Sequence, residues 1–226
     1  MKLAYHVRHN AVGWTASLRR GDETPLPAND PFVLPNGGSM IRRSSASAPG
    51  HVLLSYRADT HRNLEMHGSL KWEGRSGAKH ECDVSVVPRN IAHALRTQGG
   101  GFPRGLPVAA IECKDKRGVG TLDETRETLA RMFDLVLVTK PAAGVPTCRI
   151  YEARTHRHWG GYQSTYRGFF ATGAFAIVRK GTFQSGAATL ANHYSIRHYA
   201  SIYTTPAAQS DLEKQFTAAV KAAATL

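Results

Sequence analysis

Alternation of apolar and polar residues over two neighbouring segments constrains the fold of this chain most strongly. In residues 64–73, "LEMHGSLKWE", the even positions other than Gly68 are apolar, and in residues 80–87, "HECDVSVV", every even position from 82 onward is apolar. A period of two is typical of a β-strand with one buried face. Because the turn sequence "GRSG" separates the two segments, they predict a β-hairpin. We expect its exposed face to carry Glu65, His67, Glu81 and Asp83.

The next segments predict a strand, a helix and another strand. Residues 107–114, "PVAAIECK", alternate so that Glu112 and Lys114 share one face. Thr121 and Glu124 match a capping box that begins a helix in "LDETRETLARMF", and "DLVLVT", residues 134–139, predicts a buried strand. This order favours a right-handed parallel crossover. Together with the hairpin it predicts an α/β (α+β) fold, with a mixed central β-sheet and flanking helices.

Three zones follow one another along the chain. Residues 1–50 are rich in Pro, Gly and Ser, and predict an extension of turns and short strands packed on the core. Residues 51–140 hold the hairpin and the crossover and form the core. Residues 141–226 predict further short strands and a final helix whose capping box is Ser210 and Glu213. We expect this third zone to belong to the same globular unit.

The charge of the chain indicates a class of partner. It has 29 Lys and Arg against 17 Asp and Glu, a net charge of +12. Such a surface attracts polyanions, of which nucleic acid is the commonest, although an acidic lipid, an acidic protein or a gain in solubility would fit the same charge. No run of eighteen apolar residues and no signal-like start occurs in the 226 residues, so neither a membrane span nor secretion is supported. With an odd number of cysteines, three, we expect a cytoplasmic protein.

Carboxylates on neighbouring strands would suit a divalent metal. If the hairpin lies beside the strand 107–114, Asp83 and Glu112 can converge on Mg²⁺ or Mn²⁺, since such hard cations take oxygen ligands. The backbone carbonyl of Cys113 is a further candidate ligand. Lys114 shares the face of Glu112, so its ammonium group could orient an attacking water. The alternative for the same residues is an exposed strand face with a cross-strand ion pair.

These residues resemble the PD-(D/E)XK nuclease superfamily, the restriction-endonuclease-like fold. The family has an Asp on one strand, a variable gap, (D/E)XK on the next strand, and then a helix and a strand. Asp83 matches the Asp, residues 112–114 match the triplet, and residues 121–139 match the helix and strand. The resemblance covers about residues 60–140 and implies a nuclease-like core with additions at both ends, in which Asp83, Glu112 and Lys114 are catalytic. Cys82 stands where the family name has proline, and no amphipathic helix is predicted before the first strand.

The resemblance also implies an additional acid upstream of the triad. Glu65 is the candidate, because its outward face is expected to abut that of Asp83. Glu81 and His67 are further candidates for the site. For these two residues, the alternatives are a solvated strand charge and a surface histidine.

Nucleic-acid contacts are expected from four arginines. Arg96 and Arg104 flank the glycine triplet 99–101 within the connection 88–107, which we expect to be a mobile loop that binds phosphates. Arg126 and Arg197 are further candidates. The alternative for Arg126 is a solvated helix face, and the alternative for Arg197 is packing of its strand.

The expected function is hydrolysis of phosphodiester bonds in nucleic acid, with a DNA endonuclease favoured. The alternative is a catalytically silent, nuclease-fold component that binds nucleic acid within a larger complex. An enzyme that cuts both strands would need two sites and hence a homodimer. The sequence leaves open DNA or RNA, the strandedness of the substrate, sequence specificity and biological role.

Overall fold

Residues 1–34, 37–41, 49–150, 169–171 and 173–224 are described by the computed structural model. Its strands are β1 (Trp14–Arg19), β2 (His51–Tyr56), β3 (Leu64–Glu73), β4 (Lys79–Pro88), β5 (Ala109–Lys114), β6 (Ala174–Arg179) and β7 (Arg197–Tyr199). Its helices are α1 (Lys2–Asn10), α2 (Arg89–Thr97), α3 (Leu122–Leu135), α4 (Ser185–His193) and α5 (Pro206–Ala223), with a 3-10 turn at Thr60–Arg62. Within these residues, seven strands form one mixed sheet flanked by five helices. The predicted fold class is confirmed.

The strands follow one another across the sheet in chain order. Neighbours from β1 to β5 pair antiparallel, whereas β5, β6 and β7 pair parallel. A parallel neighbour requires a crossover that returns the chain to the same edge of the sheet, and α3 lies in the crossover from β5 to β6. The sheet draws strands from all three zones of the sequence, because β1 comes from the first zone and β6 and β7 come from the third.

Helices cover both faces of the sheet. On one face, α1 and α5 bury an apolar core that includes Val7, Leu54 and Phe216. On the other face, α2, α3 and α4 bury a second core that includes Trp72 and Phe175. Among the described residues, no helix combines the length and apolar character that crossing a bilayer requires.

The strand parallel to β5 is not the predicted one. Helix α3 starts at the predicted capping box but continues to Leu135, and Val136 ends it, so the predicted strand at 134–139 is wrong. Both residues are buried at the end of the helix. The parallel partner is β6, whose six residues are all buried. A short apolar run can end a helix or form a buried strand, and periodicity alone does not distinguish the two.

The first zone begins with a helix where turns and short strands were predicted. Ala4 and Val7, three residues apart, are buried on one side of α1, which is the spacing of a helical face. His6 Nδ1 is hydrogen-bonded to Thr217 Oγ1 at 2.9 Å, which joins α1 to α5.

The final helix begins earlier than predicted. Its N-cap is Thr205 and its first residue is Pro206, so Ser210 and Glu213 lie within α5 and do not cap it. Proline is favoured in the first helical turn because the N–H that it lacks would have no helical partner there.

At Ser69, the apolar side chains of β3 switch from one face of the sheet to the other. Leu64 and Met66 belong to the core beneath α1 and α5, whereas Leu70 and Trp72 belong to the core beneath α2, α3 and α4. In a regular strand all four positions would share one face. Ser69 lies between the two pairs with a φ of +45°, a left-handed conformation that breaks the alternation.

Strand β4 changes face at the same level. Val84 packs against the first core and Cys82 against the second, and Asp83 lies between them at the position opposite Ser69, where the ladder has no pair. Trp72 Nε1 donates to Ser85 Oγ at 3.0 Å, although Ser85 is five residues beyond the register partner of Trp72, about 16 Å along a flat strand. The hairpin is therefore bent sharply at Asp83, and the regular alternation predicted for it is wrong there.

We predict that the free energy of unfolding of Ser69 variants follows how well each substituted residue tolerates a left-handed backbone. Ser69→Val should lower the free energy of unfolding by about 1–2 kcal/mol, whereas Ser69→Gly should leave it unchanged or raise it by up to about 1 kcal/mol. Ser55 in β2, whose φ is not positive, is the control and should show the opposite order. Urea unfolding measures both series, and the same order at the two positions would contradict the bend.

Candidate functional site

The ladder of residue pairs between β4 and β5 ends next to Asp83 and Glu112, the two acids predicted to bind a metal. Its last pair is Val84 with Ile111, and one step further the register would place Asp83 opposite Glu112. That pair does not form. Asp83 Oδ2 instead accepts a hydrogen bond from the backbone N–H of Cys113 at 2.6 Å. The Asp83 side chain therefore occupies the place of the next ladder bond, and the prediction that the strands of the two acids are neighbours is confirmed.

Glu112 lies on the face of β5 that α3 covers. Its side chain is 10% exposed, and its Oε1 lies 2.6 Å from Lys114 Nζ and 2.9 Å from an Nη2 of Arg131 in α3. The predicted alternation is correct, because Lys114 does lie beside Glu112. The alternative of an exposed strand face is wrong for Glu112, because α3 covers it and supplies Arg131 as a counter-charge.

The buried thiol of Cys82 responds to both acids. Burial, and then the negative charges of Glu112 and Asp83, raise the pKa of Cys82 to about 12, against the opposing effect of Arg131. A thiol with so high a pKa is a poor nucleophile and a poor metal ligand at neutral pH. Cys82 therefore serves as an apolar side chain beside the acids, and the chemistry of this place belongs to oxygen atoms.

The oxygen donors at this place fit a hard divalent cation. Mg²⁺ commonly takes one or two carboxylates and completes its shell with waters and phosphate. Asp83, Glu112 and the carbonyl of Cys113 supply oxygen atoms from adjacent strands. The hydrogen bond and the ion pair of Glu112 both use Oε1, which directs the cations to one side of the carboxylate. The separation of the two carboxylates stays a prediction, within about 8 Å for one shared ion.

Glu81 lies against the segment 37–41. It pairs with Lys71 across the hairpin, and its Oε2 fills the space beside Gly37, where an added Cβ would come within 2.5 Å. A contribution of Glu81 to the metal stays a prediction.

Glu65 belongs to a different cluster. It pairs with Val87, four residues from Asp83, which is about 13 Å along a strand. Its carboxylate is completely buried and is bound by both Nη atoms of Arg96 and, at 2.9 Å, by Nε2 of His67. The expected exposure of Glu65 and His67 is therefore wrong, because their face of β3 is covered and α2 brings Arg96 to Glu65.

The Glu65 carboxyl is ionised despite its burial. Burial raises the pKa of Glu65, but hydrogen bonds from His67 and Arg96 outweigh burial and hold the pKa well below its usual range. Arg96 also contacts Glu23 at 2.6 Å. A buried carboxylate of this kind requires a counter-charge, and Arg96 supplies it.

The four arginines expected to bind nucleic acid occupy different settings. Arg96 lies in α2 and is 7% exposed, so its placement in a mobile loop is wrong and its charge is used inside the protein. Arg104 is paired with Glu73. Arg126 lies on the exposed side of α3, 2.9 Å from Asp123, and Arg197 is exposed in β7. Nucleic-acid contacts of the last three stay predictions.

Sequence reasoning missed Arg131, His51 and Glu23. Arg131 directly precedes Met132, a residue of the apolar face of α3, and a cation there could have been matched to the strand acid that the helix covers. Glu23 and His51 lie far along the chain from Glu65, and nothing in the sequence pairs them with it. The antiparallel pairing of β2 with β3 brings His51 to Glu65.

We predict that Arg96 is a structural residue. Arg96→Met should lower the free energy of unfolding by about 3–5 kcal/mol, because Glu65 would keep its buried charge without the guanidinium. The matched variant Arg126→Met should change it by less than about 0.5 kcal/mol, because that pair is exposed. Urea unfolding at pH 7 measures both. A cost below about 1 kcal/mol for Arg96→Met would contradict the buried network.

Adjacent strands thus bring Asp83, Glu112 and Lys114 to one place in the sheet. Comparisons of the chain with models of known families, with curated proteins and with solved structures find no match. The resemblance to PD-(D/E)XK nucleases therefore rests on these residues and on their order along the chain.

Proposed function

We propose that the protein is a Mg²⁺- or Mn²⁺-dependent nuclease that hydrolyses phosphodiester bonds, with DNA as the favoured substrate. One observation carries the proposal, namely the end of the β4–β5 ladder, which Asp83 and Glu112 flank. Lys114 adds an ammonium group 2.6 Å from Glu112. Two carboxylates and an amine on adjacent strands suit metal-assisted attack on a phosphate.

Each residue has a separate task in this proposal. Asp83 and Glu112 hold the metal through carboxylate oxygens, and Cys113 contributes its carbonyl. A bound Mg²⁺ supplies Lewis-acid polarisation of the phosphate and lowers the pKa of water. Lys114 orients the attacking water and offsets the negative charge that develops on the phosphate. Arg131 fixes the orientation of Glu112 from the side of α3.

A basic edge beside the site supports a polyanionic substrate. Parallel pairing brings the carboxyl ends of β5 and β6 to one edge, with Lys114 beside Arg179. Lys116 and Lys180 follow these strands with side chains 68% and 38% exposed, and they lie 3.3 Å from Glu124 and 3.4 Å from Asp115, respectively. With a net charge of +12, this edge would attract a nucleic-acid backbone at low and moderate salt.

Two further parts of the proposal follow from chemistry. Cutting both strands of a duplex needs two sites, so an enzyme with that activity would act as a homodimer. The three free cysteines suit a reducing compartment such as the cytoplasm.

A second candidate is a catalytically silent protein that binds nucleic acid on the same scaffold. The observation that favours it is the double pairing of Glu112 with Lys114 and Arg131. Two cations on one carboxylate already balance its charge, so a bound metal is not needed to stabilise the fold. The two candidates differ in one property, which is cleavage that depends on the metal.

We predict that the wild-type protein cuts nucleic acid only when Mg²⁺ or Mn²⁺ is added, and that Asp83→Asn and Glu112→Gln each reduce the rate by about 100-fold or more. The reason is the loss of a metal ligand, worth several kcal/mol at the transition state. Supercoiled plasmid, single-stranded DNA and RNA serve as substrates in a metal titration. The exposed acids Asp123 and Glu127 of α3 give the matched controls Asp123→Asn and Glu127→Gln, which should cut at the wild-type rate.

Cleavage, measured alongside binding of nucleic acid, separates the two candidates. Glu112→Gln should bind DNA as tightly as the wild type or more tightly, because a negative charge near phosphate is removed. A wild-type protein that binds but cuts none of the substrates at any metal concentration would establish the silent alternative. Unchanged cleavage by Asp83→Asn or Glu112→Gln would refute the assigned site.

A further inference from the structure

Two histidines and a glutamate form a buried cluster away from the proposed catalytic acids. His51 from β2, and Glu65 and His67 from β3, are 2%, 0% and 8% exposed. Among the described residues, one ligand atom from each lies within 4.8 Å of the other two. The rings of His51 and His67 stack, with centroids 5.1 Å apart and planes 21° apart. Their nitrogens therefore approach one carboxylate from neighbouring strands.

The spacing of these atoms fits a zinc ion after small side-chain shifts. His51 Nε2 is 3.6 Å from Glu65 Oε1, and His67 Nε2 is 2.9 Å from Oε2. A tetrahedral ion with ligand distances of about 2.1 Å places its ligand atoms roughly 3.4 Å apart. Two imidazoles and a carboxylate are also a ligand set that zinc takes when it keeps one position open.

A cavity adjoins the cluster and gives room for a fourth ligand of the metal. It has a volume of about 180 Å³, and its lining includes His51, His67 and Arg96. A water molecule occupies about 30 Å³ in the liquid, so the cavity can hold a water or a small anion as the fourth ligand. The remaining lining is largely backbone and small side chains, including Gly68 and Ser69 at the bend of β3.

Arg96 is the main competitor for the carboxylate of Glu65. Arg96 contacts two buried or half-buried carboxylates, Glu65 and Glu23, so it keeps a partner if Glu65 turns to a metal. Glu23 also lies 3.2 Å from the exposed His93.

We propose that His51, Glu65 and His67 form a Zn²⁺ site with its fourth position open to the cavity. The site is independent of the proposed nuclease activity and lies on different residues. Zn²⁺ would replace the hydrogen bond between His67 and Glu65, and would join β2 to β3 where only three residue pairs link these strands. Arg96 would then be held by Glu23.

Zinc binding to the full-length chain tests the proposal. The metal-stripped Glu112→Gln protein is titrated with Zn²⁺ by calorimetry. This substitution removes one acid of the proposed catalytic site, so that this site does not contribute to the binding. One equivalent should bind, and at 100 times the Kd the Tm should rise by about 5–10 °C. His51→Ala and His67→Ala should each abolish binding of that equivalent. The exposed His61 gives the matched control His61→Ala, which should bind normally.

If the histidine variants fail to fold, nuclear magnetic resonance of the protein with both histidines intact provides a second test. Imidazole nitrogen resonances should shift for two histidine rings when Zn²⁺ is added to the Glu112→Gln protein, and His61→Ala should leave both shifts in place. No binding, no shifted ring, or binding that persists in a folded His51→Ala or His67→Ala variant would overturn the proposal.

Discussion

The left-handed backbone at Ser69 is the constraint on which the arrangement of this molecule depends. It bends the β3–β4 hairpin, moves Leu70 and Trp72 to the face opposite Leu64, and leaves Asp83 without a ladder partner across the hairpin. On the other side of β4, the ladder to β5 ends at Val84, the residue next to Asp83. Between these two interrupted ladders, one oxygen of the Asp83 carboxylate accepts the backbone N–H of Cys113. The local strain of one residue thus creates the position that the proposed chemistry uses.

Buried charge is the second organising feature, and each case uses a cation from a different element. Arg96 in α2 neutralises Glu65, and Arg131 in α3 neutralises Glu112. A third pair joins Arg179, at the end of β6, to Glu124 of the α3 capping box. Removing one member of such a pair costs far more than the pair itself contributes, because the remaining charge stays buried. The helices are therefore held in register on the sheet by charge as well as by apolar packing.

Local patterns in the sequence predicted the parts of the fold that depend on local chemistry. The capping box of α3 depends only on Thr121 and Glu124, and the regular alternation of β5 correctly placed Glu112 beside Lys114. The face change at Ser69 could not be predicted, because serine has no special preference for a positive φ. Arg96 was taken for a loop residue because its partner, Glu65, is thirty-one residues away. The strand that pairs parallel with β5 was assigned wrongly, because the apolar run at the end of α3 gave as good a signal as β6, which was predicted only as one of the short strands of the third zone.

Crystals soaked in Mn²⁺ would test the central claim most directly, because anomalous diffraction locates this metal without reference to any activity. The account predicts a peak between β4 and β5, with an oxygen of Asp83 and an oxygen of Glu112 both about 2.1–2.2 Å from the ion and Lys114 beside it. The account would be contradicted by carboxylates more than about 8 Å apart, with Glu112 still bound by Lys114 and Arg131 and no manganese between the strands.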